Sequence, residues 1–420
     1  MGRGTALAQS GFATVELSFS NPGARSLGLG GAFVALADDA TAAFANPAGL
    51  VQLAELEFSV EGRSWSYSTP YTRSGRISGA PTGYGIDTNP GLSSASSEER
   101  VNGLSFLSLV YPRERWSFAF YRHQISKFQF SSETQGLFGL PHFSQPGTRR
   151  ERDRRIQIEY DIASYAVAGS WRINDSFSIG AGIVYFDMGI EGVEAVYSFD
   201  SLDRFFSTNS YLPERNFENI AYDLGETDWG FTAGLLWRLS ENWSLGGVYR
   251  QGADASAWSI VISSGPLDGT LPPGTVKGEV VTPISFPDVF GIGVAYRSTN
   301  DRVTVGLEWD RVEYSDILSS LTLETDVQLD DANELRAGIE YAFLDMRPMV
   351  ALRAGLWVDP DHRMRSTGSD ALTDALFRPG SDETHLSLGL GMVFRLLQVD
   401  LAIDLSELVD TASISVIYGF

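Results

Sequence analysis

The chain has 420 residues, 43% of them hydrophobic, with 43 Gly, four His, no Cys and a formal net charge of −22. Without Cys there is no disulfide framework, Cys-ligated zinc site, iron–sulfur cluster or thiol nucleophile, and four His leave little for a His-rich metal centre. The acidic balance argues against a nucleic-acid-binding surface. No uncharged apolar run reaches the ~18 residues of a membrane helix, so a membrane span would require a closed barrel.

Residues 1–8 come first. Ala6-Leu7-Ala8 before Gln9 has the small-x-small form of the end of a secretory signal, and the mature chain is expected to begin near Gln9. Asn21 to Leu53 is not strand-like: a Gly-rich turn, Gly28-Leu29-Gly30-Gly31, is followed by an Ala-rich helical stretch and then by Asn46-Pro47-Ala48-Gly49-Leu50. The glycines lack the Lys and the preceding strand of a phosphate loop and instead suit tight backbone folding. A helix is expected to stop at Asn46, because the residue before Pro is held in extended or turn conformations.

From residue 56 the pattern becomes period-two alternation. Strands are expected at 56–67, 101–111, 116–130, 154–172, 176–196, 227–239, 243–262, 286–298, 302–316, 334–343, 348–358, 384–395, 398–406 and 411–420, fourteen in all. Short connections alternate with long ones near 68–100, 131–153, 197–226, 263–285, 317–333 and 359–383. That asymmetry is expected of an up-and-down outer-membrane barrel.

The faces of the strands point the same way. In 334–343, Leu335, Ala337, Ile339, Tyr341 and Phe343 alternate with Glu334, Arg336, Gly338 and Glu340. Trp229, Phe231, Leu235 and Trp237 form a similar face in the sixth strand, and Leu401, Ile403 and Leu405 oppose Asp400 and Asp404 near the end. With no amphipathic helices after residue 50 to cover these faces, they are expected to meet lipid, and the polar faces a lumen. Trp171-Arg172, Trp237-Arg238, Tyr296-Arg297 and Phe394-Arg395 sit at short turns, as an interfacial aromatic girdle would. The basic cluster Arg149, Arg150, Arg152, Arg154 and Arg155, interleaved with Glu151 and Asp153, reads as a solvated loop or strand end, the alternative being contact with anionic headgroups. The alternating C-terminus, ending Tyr418-Gly419-Phe420, resembles the signal by which outer-membrane barrels are recognised for assembly.

The segment Asn21 to Leu53, with Asn46, Pro47, Ala48 and Gly49, closely resembles the N-terminal hatch of the FadL-type outer-membrane transporters. Asp228-Trp229-Gly230-Phe231, Phe286-Pro287-Asp288 and Asn333-Glu334-Leu335-Arg336 are similar to the same family. The resemblance implies an all-β, 14-stranded antiparallel transmembrane β-barrel with an N-terminal hatch or plug: residues 9–55 as hatch and 56–420 as barrel. It implies passive uptake of hydrophobic compounds such as long-chain fatty acids, in a bacterial outer membrane, with the hatch as gate. The expected partners are outer-membrane lipid, lipopolysaccharide and a hydrophobic small molecule, with no nucleic acid, cofactor or metal. The same motif occurs in PorV-like barrels, so a docking barrel that binds a partner protein through its external loops is the alternative.

Phe138, Phe143, Phe205, Phe206 and Tyr211 in the long loops are the candidates for substrate capture. Arg336 and Arg353, with Arg238, Glu308, Asp310, Glu340, Asp400 and Asp404, are expected in inward salt-bridge networks, where an Arg could also bind a carboxylate headgroup. No G-x-S-x-G elbow or local Ser–His arrangement supports an enzyme. In the family, lateral exit depends on a break in the third strand. Trp116 to Phe130 has neither Gly nor Pro, the usual local cause, although alternation is irregular around Arg122, His123, Gln124 and Lys127, where a bulge would fit.

Overall fold

The structure, a computed structural model, describes residues 19–77, 91–141, 148–198, 211–263, 274–319, 327–368, 374–375 and 377–420. The expected signal end and the first part of the expected hatch therefore lie outside the described residues.

Fourteen antiparallel strands close into a barrel. They are β1 (Glu57–Arg76), β2 (Leu92–Pro112), β3 (Trp116–Thr134), β4 (Asp153–Arg172), β5 (Phe177–Tyr197), β6 (Asn216–Arg238), β7 (Trp243–Arg250 and Asp254–Ser263), β8 (Val276–Ser285 and Val289–Arg297), β9 (Val303–Val312), β10 (Ala332–Phe343), β11 (Met349–Asp359), β12 (Glu383–Val393), β13 (Leu397–Leu405) and β14 (Val409–Gly419). Each pairs with its chain neighbour, and β14 closes on β1 from Glu57↔Gly419 to Tyr67↔Val409. That pairing joins the first strand to the last, the closure that a backbone in lipid requires.

The alternation resolves as the sequence predicts. Leu335 is 60% exposed and Ile339 48%, whereas Arg336 and Glu340, the residues that follow them, are buried. Trp171, Trp237, Trp243 and Phe394 remain exposed at the short-turn end, forming the girdle. The strands are longer than predicted at the long-loop end: β1 runs to Arg76, β2 starts at Leu92 and β6 at Asn216. Those extensions, such as Ser93-Ser94-Ala95-Ser96-Ser97, carry no outward apolar row because they rise above the bilayer, although β6 there keeps Ile220, Tyr222 and Leu224 buried on its inner face. β7, predicted as a single stretch over 243–262, is interrupted at residues 251–253; β8, predicted only from residue 286, has an outer piece, Val276–Ser285, inside the expected long loop 263–285, and a break at 286–288.

The lumen is filled from inside. Residues 19–53 form a plug with two short helices, α1 (Ala24–Gly28) and α2 (Ala42–Ala45), then a 3-10 turn, Pro47–Gln52. α1 packs on β11–β14 and the 3-10 turn on β4, β5 and β6, so the plug bridges opposite walls.

Candidate functional site

α2 stops at Asn46, as the Asn-Pro pair predicts. The Asn46 backbone is extended, and its side chain caps the following turn by accepting from the Ala48 N–H at 3.1 Å, with Pro47 at the first turn position. Its Nδ2 donates to the carbonyls of Val34 in the plug and Leu235 in the wall, both at 2.9 Å. Asn46 is fully buried. One side chain thus fastens two plug segments to β6, and removing it would leave buried backbone groups without partners.

Glycines on the inner wall let the plug lie backbone to backbone against it. A Cβ at Gly234 would come within 2.2 Å of Asn46 Oδ1, at Gly180 within 2.4 Å of Ala48 N, at Gly338 within 2.2 Å of Leu29 O and at Gly355 within 2.1 Å of Gly30 N. In the plug, Gly30 and Gly31 adopt φ of +65° and +80°, a conformation that L side chains rarely take.

A buried ionic network completes the seal. Arg336 binds Asp310 at 3.0 Å and also Glu334; Arg353 binds Glu340 at 2.6 Å and Asp400 at 2.7 Å. Arg25 of α1 joins Glu340 at 3.1 Å, and Glu308 accepts the Phe33 and Val34 N–H groups at 2.7 and 2.6 Å. Arg336 and Arg353 thus have their guanidinium groups committed to carboxylates.

Asp38 closes the periplasmic side of the plug, bound by Arg25 at 2.6 Å and by wall residue Arg297 at 2.5 Å. Burial raises the Asp38 carboxyl, but the two guanidiniums outweigh it and hold the group well below the usual carboxylate range. A carboxylate depressed by folding contributes stability above its unfolded pKa of about 4, and the contribution disappears as pH falls through the lowered native value. Asp38→Asn is therefore expected to increase thiol labelling of a cysteine placed at buried Ala45 at pH 7, and to make no difference in strong acid. Equal labelling of the two proteins at pH 7 would contradict the latch.

Above the plug lies an apolar cavity of about 40 Å³, lined among others by Phe44, Tyr121, Ile125, Ile162, Met188 and Phe286. Phe44 brings the plug into its wall. Three irregularities of the barrel meet there: the interruption of β7, the interruption of β8 at Phe286-Pro287-Asp288, and a bulge in β3.

The bulge lies where the alternation is irregular around Arg122, His123, Gln124 and Lys127. The β3–β4 register shifts between Gln124 and Ser126, leaving Ile125 extra. No Gly or Pro is needed, because Gln124 Nε2 donates to Ser126 O and Asp161 Oδ1 at 2.8 Å and to Ile162 O at 3.0 Å, replacing ladder bonds with side-chain bonds. Beyond this point β2 and β3 part: their ladder runs from Pro112↔Ser117 only to Phe106↔His123. β2 stays on β1 as far as Leu92, and β3 stays on β4 as far as Thr134. The resulting seam is crossed by side-chain bonds, including Ser131 N–H to Ser97 Oγ at 2.9 Å and Arg122 to the carbonyl of Leu104. It starts at the level of exposed Leu104, and Ile125 lines the cavity directly behind it.

The loop aromatics fall elsewhere. Phe138 is buried in a short outer strand, Leu137–Pro141, paired in parallel with the end of β1. Tyr211 donates to Thr134 O at 3.1 Å, meets Tyr197 edge-on at 5.2 Å and lies under Arg155. Neither is among the residues lining the cavity. Phe143, Phe205 and Phe206 lie outside the described residues. In the basic cluster, Arg154 pairs with Glu194 and Arg155 with Glu133 at the outer end of β4.

A family model described as outer membrane protein transport protein (OMPP1/FadL/TodX) matches residues 156–412. No match was found among curated proteins. Among solved structures, a Pseudomonas aeruginosa FadL homologue aligns with a TM-score of 0.67 at 15% identity, covering 97% of this chain and 99% of its own. The Ralstonia pickettii toluene transporter TbuX aligns at 0.57 and 15% identity, and the Pseudomonas putida toluene transporter TodX at 0.55 and 16%; each pairing covers 96% of this chain and 99% of the other. At these identities the likeness is one of fold.

Proposed function

Since this chain belongs to the OMPP1/FadL/TodX family of outer-membrane transport proteins, channels for hydrophobic compounds, we propose that it takes up apolar solutes such as long-chain fatty acids passively, with its N-terminal segment as the hatch. Residues 9–55 serve as this hatch, around Asn46, Pro47, Ala48 and Gly49, and 56–420 as the barrel. External loops carrying Phe143, Phe205 and Phe206 collect the solute, and Phe138 and Tyr211 hold those loops on the strand ends. The solute then enters the apolar cavity and leaves sideways through the seam between β2 and β3. Arg336 and Arg353 keep wall and plug together. The PorV-like docking reading is not favoured, because the matching family is one of transport proteins.

The observation that carries this reading is the meeting of cavity and seam at Ile125. A solute in the cavity is one strand from lipid, at a place where no backbone ladder has to break. Transfer of each buried CH₂ from water contributes about 0.8 kcal/mol, so downhill passage needs no energy source.

Met188 is fully buried and lines the cavity. Met188→Trp fills that space, and overpacking by about 1–3 kcal/mol should lower uptake of labelled oleate by roughly tenfold or more. Unchanged uptake by a fully assembled Met188→Trp barrel would sink the proposed route.

A further inference from the structure

Phe19 of the plug lines two cavities, the apolar one and a second of about 60 Å³ against β1 and β10–β14. The second has room for several waters, or for a small polar headgroup with a few carbons.

Its walls hold an acceptor pair with nothing between. The imidazole of His385, 5% exposed, stacks on Trp357 with ring centres 3.8 Å apart, and its Nδ1 bonds to Asp404 at 2.7 Å. A carboxylate only accepts, so this bond places a proton on Nδ1 and leaves Nε2 of the neutral ring an acceptor. Nε2 makes no hydrogen bond among the described residues, and Glu383 Oε2 stands 4.0 Å from it, beyond hydrogen-bond reach. One donor nitrogen about 2.9 Å from each would bridge the two. The donors that also line the cavity point elsewhere: Trp357 Nε1 to Asp404, Arg336 to Glu334 and Asp310, and the Tyr67 hydroxyl to the Lys127 carbonyl.

The charge has the same sense. Arg336 balances Glu334 and Asp310, but no Lys or Arg among the described residues lies within ion-pair distance of Asp359, Glu383 or Asp404, whose ion-pair partners are His362 and His385. Asp359 Oδ1 is buried without a hydrogen bond, since His362 Nδ1, 3.3 Å away, donates to the Pro360 carbonyl at 3.0 Å. Trp65 and Tyr67 in the wall suit a cation with an apolar body. Among the described residues no three His or carboxylate side chains converge to hold a metal ion, so an organic cation fits better than a bare one.

We propose that this cavity is a second binding site of the barrel, taking a protonated primary amine on an apolar body: the ammonium lies between His385 Nε2 and Glu383, and the body against Leu27, Trp65 and Tyr67. The inference does not rest on the solute route through Ile125, because the two cavities share only Phe19.

The test is calorimetric titration of the full chain in phosphatidylcholine nanodiscs with phenethylamine, an ammonium at neutral pH, and with 2-phenylethanol, its neutral counterpart. Wild type is expected to bind the amine at least about tenfold more tightly, the lower end of what hydrogen bonds to a charged group supply. Glu383→Gln and His385→Phe should each remove most of that preference; the Phe variant keeps a ring to stack on Trp357 but offers no acceptor. A preference that survives both variants belongs to the acidic surface and overturns the inference, as does equal binding of the two ligands by wild type. Displacement of the amine by Met188→Trp, which fills the other cavity, would place it there and overturn the inference too. If His385→Phe does not assemble, wild type and Glu383→Gln decide in the same way. Any of these failures leaves the oleate uptake prediction standing.

Discussion

Valine at both Gly338 and Gly355 is expected to unseat the plug and open the barrel to small hydrophilic solutes. At each position an added Cβ alone would stand little more than 2 Å from plug backbone, at Leu29 O and Gly30 N. Backbone cannot move aside as a flexible side chain can. Each overpacked site costs about 1–3 kcal/mol, and the two act on one rigid turn whose own Gly30 and Gly31 hold left-handed conformations. The barrel wall should still assemble, because Gly338 and Gly355 face each other across the β10–β11 ladder and their strands keep every neighbour pair. Liposome swelling by a small sugar, near zero for wild type, is expected to rise several-fold in the double variant. An assembled double variant as tight as wild type would show that the glycine belt does not seat the plug.

The second large effect concerns the seam. A Cβ built at Gly103 of β2 lies 3.4 Å from Cδ of Lys127 of β3, so these positions face each other across the parted strands. The native chain has no Cys, and Gly103→Cys with Lys127→Cys therefore supplies the protein's sole thiol pair. Joining them with a short, reductant-cleavable linker should cut oleate uptake by about tenfold or more, since passage would then require a covalent tie to stretch. Cleaving the linker should restore uptake. Undiminished uptake by the linked protein would direct the solute through the periplasmic mouth instead.

Much of this arrangement is readable in the residues, for physical reasons. Leu335, Ile339 and Tyr341 alternate with Arg336, Gly338 and Glu340 because one face meets lipid and the other a plug, and the period of a strand transmits that division directly. Asn46-Pro47 marks the end of α2 through local backbone restriction alone. The strand extensions above the bilayer are harder to see, since with water on the outer face they lack the lipid-facing apolar row that marks the rest of each strand. The bulge at Ile125 is hidden for another reason: its cause is the Gln124 side chain bonding to Asp161 and Ile162 of a different strand, a long-range arrangement that leaves only broken alternation in the sequence. Phe286-Pro287-Asp288 was visible as a motif, but its service as cavity wall depends on β8 being interrupted there. Aromatic content in long loops pointed to capture sites, whereas Phe138 and Tyr211 are engaged in holding strand ends.

The most direct test of passage through the cavity and seam is photocrosslinking with a twelve-carbon carboxylate bearing a terminal diazirine, applied to the intact protein in outer-membrane vesicles. Labels on Ile125, Ile162, Met188 and Phe286, with further labels along the β2–β3 seam, are the expected result. Labelling confined to lipid-facing residues such as Leu335 and Ile339, with none inside the barrel, would contradict it.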